Sequence, residues 1–144
     1  MISLNKDFPD LEDVQIEGLA LSLLESYFGR SLRKEDAPIP VELIAEQHLD
    51  YEIEIVEDEQ LIKHDILGGI IFEDRIIQIS SKTTEHEGRY SFTIAHELGH
   101  HVMHREFFLA HQTGNKSPEM LREKGVKPKA EKQADCFAAA LLMP

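Results

Sequence analysis

Two histidines four residues apart, with a glutamate directly after the first, constrain this chain more than any other feature: His96-Glu97-Leu98-Gly99-His100. On an α-helix this spacing brings both imidazoles to one face, where they can grip one zinc ion, with Glu97 beside the water it would deprotonate. That is hydrolase chemistry. A five-residue pattern with two free positions also arises by chance, so the flanking sequence has to carry the assignment.

Upstream, Phe92, Ala95, His96, Gly99, His100 and Met103 recur at helical spacing, which makes one helix face both apolar and metal-binding. Thr84 followed by Glu87 has the form of a capping box and places the helix start near residue 84 or 85. Gly88 weakens that first turn and allows a start a few residues later. Gly99, between the two histidines, lets another element approach the helix closely beneath the metal.

A catalytic zinc site takes three protein ligands and leaves one position for water. The metzincin pattern would put glycine at position 103 and histidine at 106; Met103 and Glu106 stand there, so that class is excluded. His104 lies two turns beyond His96, about 12 Å along the axis, too far to share one ion with it. It reads as a group supporting a ligand or lying on the surface. The better candidate is downstream. If Pro128 opens a helix, Glu131, Ala134, Asp135, Ala138 and Leu142 fall on one stripe. With Glu131 on the zinc, Asp135 one turn later can accept a hydrogen bond from the outer ring nitrogen of a ligand histidine and fix its tautomer.

The run Phe92-Thr93-Ile94-Ala95-His96-Glu97-Leu98-Gly99-His100-His101, followed by Glu131, Ala134-Asp135, Phe137-Ala138 and Leu141-Leu142-Met143-Pro144, resembles the ImmA/IrrE family of gluzincin-type metallopeptidases. The resemblance covers roughly residues 38 to 144 and rests on two ordered motifs. It implies an intracellular zinc-dependent endopeptidase acting on helix-turn-helix repressors. Carried over residue by residue, His96, His100 and Glu131 match the metal ligands and Glu97 the catalytic base. Asp135 stands where the family often has asparagine, and either side chain accepts the hydrogen bond. Many relatives continue beyond the equivalent of Pro144, so the chain reads as a minimal member or a trimmed domain. No residue is assigned to hold the developing oxyanion, a role peptide hydrolysis requires. Tyr90, His101, His104 and His111 are candidates only: Tyr90 reads as a core or rim tyrosine and the histidines as solvated.

The charge is unevenly placed. Residues 1–59 hold sixteen Asp or Glu against four Lys or Arg, whereas residues 60–144 hold eleven of each, so the net charge of −12 belongs to the N-terminal part. Such a surface repels phosphate backbones and argues against direct nucleic-acid binding. It either attracts a basic protein partner, such as a DNA-binding repressor, or simply aids solubility. The single cysteine, Cys136, cannot form an internal disulfide and reads as a small buried residue. The N-terminus lacks a signal-like leader and no apolar run reaches the roughly 18 residues of a membrane span, so a cytoplasmic, membrane-free protein is expected.

Along the chain, Val14 to Phe28 reads as an amphipathic helix ending at Gly29, and Pro38-Ile39-Pro40 introduces a short helix from about Val41 to His48. Tyr51 to Val56 alternates like a half-buried strand. Gly68 to Phe72 and Arg75 to Ile79 read as a hairpin around Glu73-Asp74. An edge of that hairpin can pair with an extended substrate, unless the strand is internal. Arg105 to Lys127 reads as a mobile excursion, with a short helix over Glu119 to Lys124, that serves as a lid or a tolerated loop.

The expected fold is α+β: a zincin-like minimal metallopeptidase domain with two metal-bearing helices packed beside a small antiparallel or mixed sheet. One domain spans residues 1–144, with an acidic helical part over about 1–50 and a catalytic core over about 51–144. The expected function is a zinc-dependent endopeptidase, with Mn2+ as an alternative metal, cleaving a helix-turn-helix repressor or antitoxin-like partner by Glu97-assisted attack of zinc-bound water. The alternative is a non-catalytic, zinc-stabilised interaction module that binds such a regulator.

Overall fold

The structure, a computed structural model, describes residues 9–57, 59, 67–110 and 129–144. Helix α1 covers Asp13–Phe28. The Glu12 N–H at its start donates to Gln15 Oε1 at 2.8 Å, and Gly29 ends it in the left-handed region at φ 71°. Ile16, Ala20, Leu23 and Leu24 form its buried stripe. The connection that follows is tied by Arg30, whose two terminal nitrogens donate to Asp36 at 2.9 and 2.6 Å. That hydrogen bonding holds the Asp36 carboxyl down at about 2. Helix α2 begins at Val41–Leu43 and continues as a wider π-helical turn over Ile44–His48, burying Val41, Ile44 and Ala45.

Three strands follow: β1 (Glu52–Val56), β2 (Gly68–Ile71) and β3 (Ile76–Ser80). The sheet order is β1-β3-β2, with β1 parallel and β2 antiparallel to β3. The sheet is therefore mixed. Ile53 and Ile70 flank Ile77 in register. The hairpin falls where the sequence placed it, and its β3 arm is internal, which leaves β2 and β1 as the edges among the described residues. Gly68 lets β2 lie directly on the metal-motif helix: a Cβ there would stand 2.7 Å from Thr93 Cγ2.

Helix α3 runs over Glu87–Met103, α4 over Arg105–Ala110 and α5 over Lys129–Leu142. The expected box between Thr84 and Glu87 does not form. Residues Ser81–Glu85 make a 3-10 turn in which the Thr84 hydroxyl donates back to the Ser81 carbonyl at 2.7 Å, and α3 starts only after His86. Helices α3 and α5 pack together, α1 packs on α5, and the sheet meets α3 through β2 and β3. The core joins Leu24, Ile44, Ile77, Leu98, Phe108 and Phe137, all fully buried. Each such side chain contributes about 1.5–3 kcal/mol relative to exposure.

The excursion expected from Arg105 begins instead as α4. Its remainder, including the helix expected over Glu119 to Lys124, His111 and Pro128, lies outside the described residues. Among the described residues no helix is long and apolar enough to cross a membrane.

Candidate metal centre

The helical repeat of α3 carries His96 and His100 to one side, and α5 delivers Glu131 from its first turn. Gly99 makes the approach possible. A Cβ at this position would lie 3.2 Å from Phe137 Cβ and Cδ1 and 3.3 Å from Ala134 Cα, so glycine sets the separation of the two helices.

Across that contact, His96 Nε2 lies 3.1 Å from His100 Nε2 and 3.2 Å from Glu131 Oε2, and His100 Nε2 lies 2.9 Å from Glu131 Oε1. All three residues are buried, and one ligand atom from each lies within 4.8 Å of the others. Tetrahedral ligands at zinc distances of 2.0–2.1 Å stand about 3.3 Å apart, so the spacing fits a single ion with a small expansion. The donor chemistry fits as well. Two imidazoles and a carboxylate, withdrawn from water, converge on one point, a donor set compatible with a metal ion.

Asp135 stands where the helix spacing put it, one turn beyond Glu131, and its Oδ1 is 2.7 Å from His96 Nδ1. A carboxylate only accepts, so His96 carries its proton on Nδ1 and directs the Nε2 lone pair into the cluster. Glu97 is buried beside the ligands on α3, with 1% of its surface exposed.

Of the other described histidines, His104 takes the supporting alternative of its reading, whereas His101 departs from the solvated position expected for it. His104, read as solvated in one view, is fully buried: its Nδ1 lies 2.9 Å from His100 Nδ1 and its Nε2 2.7 Å from Gln133 Oε1. It backs the candidate ligand His100. The signal was the continued four-residue spacing of positions 96, 100 and 104; Gln133, at the margin of the apolar arc of α5, carried no comparable mark. His101 is half-buried and hydrogen-bonded through Nδ1 to the Tyr51 hydroxyl at 2.7 Å. Burial, reinforced by Arg75 and Arg105, pushes His101 down to about 4, and burial raises the Tyr51 hydroxyl to about 12. Tyr90 is a rim residue whose hydroxyl donates to Glu42 at 3.2 Å; burial, with Glu42 beside it, raises it to about 12. Each of these three oxyanion candidates is thus engaged elsewhere. Cys136, expected to be buried, is only partly so, with Sγ 3.8 Å from Asp13 Oδ1.

A family model described as Peptidase M78, IrrE N-terminal-like domain, matches residues 47–144. No curated protein and no solved structure matches the chain.

Proposed function

Because the chain belongs to the Peptidase M78 family, whose model covers α3 and α5 together, we propose that it is a zinc-dependent endopeptidase with Glu97 as its catalytic base. The observation that carries this reading is the buried convergence of His96, His100 and Glu131 from two helices within a peptidase-family domain. His96, His100 and Glu131 would hold the ion. When bound, zinc, or manganese where supply favours it, polarises the substrate carbonyl and acidifies water. Glu97 takes the proton of the attacking water and returns one to the leaving amine, a role worth about 10²–10⁴ in rate. Asp135 keeps His96 oriented.

Strand β2 supports the peptide as substrate. Among the described residues it is a sheet edge, and it lies against α3 at Thr93, one turn before His96, where its outer backbone groups would pair with an extended chain. We place the substrate among basic, DNA-binding regulators, a helix-turn-helix repressor or an antitoxin-like partner, in the cytoplasm. The acidic N-terminal part would steer such a protein and repel nucleic acid itself.

The test is a comparative pull-down from the source cells with zinc-loaded wild type and Glu97→Gln proteins, reading partners by mass and new chain ends. A partner captured whole by the glutamine variant and clipped by wild type is the expected result. The same partner recovered intact with both proteins would assign the site to binding without cleavage.

A further inference from the structure

Behind His100 runs a buried chain of hydrogen bonds whose direction can be read from its far end. Gln133 Nε2 donates to the Pro9 carbonyl at 2.6 Å, and because that oxygen only accepts, the orientation of the amide is fixed. Gln133 Oε1 therefore accepts from His104 Nε2, 2.7 Å away, and His104 carries a proton there. In the neutral ring His104 Nδ1 is then the acceptor, so the proton shared across the 2.9 Å contact with His100 Nδ1 belongs to His100. That leaves the His100 lone pair on Nε2, the atom 2.9 Å from Glu131 Oε1 and 3.1 Å from His96 Nε2. The reverse assignment would put a hydrogen on Nε2 and close it to a metal.

We propose that Gln133, anchored on the Pro9 carbonyl and acting through His104, is a positioning residue that holds His100 in its metal-ligating tautomer. Both intermediaries are withdrawn from water, His104 at 0% and Gln133 at 6% exposure, so solvent does not stand in for a lost partner. The two ligand histidines are thereby held by different means: His96 by the carboxylate of Asp135, His100 by a neutral relay that ends ahead of α1. Pro9 lies outside the stretch that the family model matches, so this anchor is supplied by the chain's own N-terminal segment. Lys129 Nζ, 2.6 Å from Asp10 Oδ1, fastens the same segment to α5.

The inference rests on His96, His100 and Glu131 being metal ligands, and its test separates the two claims. Zinc affinity is measured by competition with a chromophoric chelator for wild type and Gln133→Leu, and the ring-nitrogen shifts of His100 are recorded by NMR in zinc-free wild type. Expected are a 10–100-fold loss of zinc affinity in Gln133→Leu and an Nδ1–H tautomer of His100 in wild type. Wild type that binds zinc while Gln133→Leu binds it equally well, or a His100 protonated on Nε2, would overturn the relay and leave the ligand set standing. Wild type that binds no zinc would overturn the ligand set and the relay with it.

Discussion

At the scale of single residues, the proposed function makes Glu97 the difference between a peptidase and a metal-holding domain. On that proposal the histidines and Glu131 would retain an ion without it, and Glu97 would move the proton. Glu97→Gln is expected to keep wild-type zinc content and lose about 10²–10⁴-fold in turnover; a metal-replete variant with undiminished peptide cleavage would remove Glu97 from the mechanism. Far from the centre, Asp36 tests a different electrostatic claim. Its folded value of about 2 lies below the ordinary carboxylate value near 4 because Arg30 and the Arg33 N–H donate to it. A depressed acid contributes stability above its unfolded value and loses it as pH falls through the folded one. Asp36→Asn should therefore lower the urea midpoint at pH 7, with the gap to wild type closing as the pH is taken from about 4 towards 2. A gap that stays constant across that range would show that the ion pair carries no such linkage.

At the scale of elements, the decisive contact is α3 on α5 at Gly99. Gly99→Ala gains up to about 1 kcal/mol of helix propensity but drives a methyl against Phe137 and the Ala134 backbone, an overpacking cost of about 1–3 kcal/mol. The net expectation is lower thermal stability together with weaker zinc binding, because the ligands sit on opposite sides of that contact. Gly88→Ala, with open space around it, should instead stabilise by about 0.5–1 kcal/mol. Equal melting shifts for the two would contradict the packing account. The same contact explains what the sequence disclosed. His96, His100, Glu131 and Asp135 were legible because helical spacing alone dictates their faces, and Gly99 because a missing side chain beneath two ligands implies a close neighbour. The β2-β3 hairpin was legible from local alternation, whereas the parallel pairing of β1 with β3 joins segments far apart in sequence and leaves no local trace. Thr84 misled because its hydroxyl has two local partners within reach, and the 3-10 turn claimed it. His104 was left open between supporting a ligand and lying on the surface, because only the fold brings Gln133 and His100 to its two nitrogens.

At the scale of the whole molecule, the N-terminal helix is part of the working unit although it precedes the stretch matched by the family model. Helix α1 buries Ile16, Ala20, Leu23 and Leu24 in the common core and packs on α5. Leu24→Ala should accordingly cost about 2–5 kcal/mol in urea unfolding; a change below about 1 kcal/mol would mean that α1 is an appendage. Helix α5 packs against both α1 and α3, and Glu131 meets the two histidines in a buried setting. This assembly is proposed to hold one catalytic metal ion, and metal content per chain decides it. Mass spectrometry of the native protein and of Glu131→Ala, both prepared with zinc in slight excess and then desalted, is predicted to find one ion in wild type and clear loss in the variant. A full equivalent retained by Glu131→Ala, or none bound by wild type, would contradict the assignment.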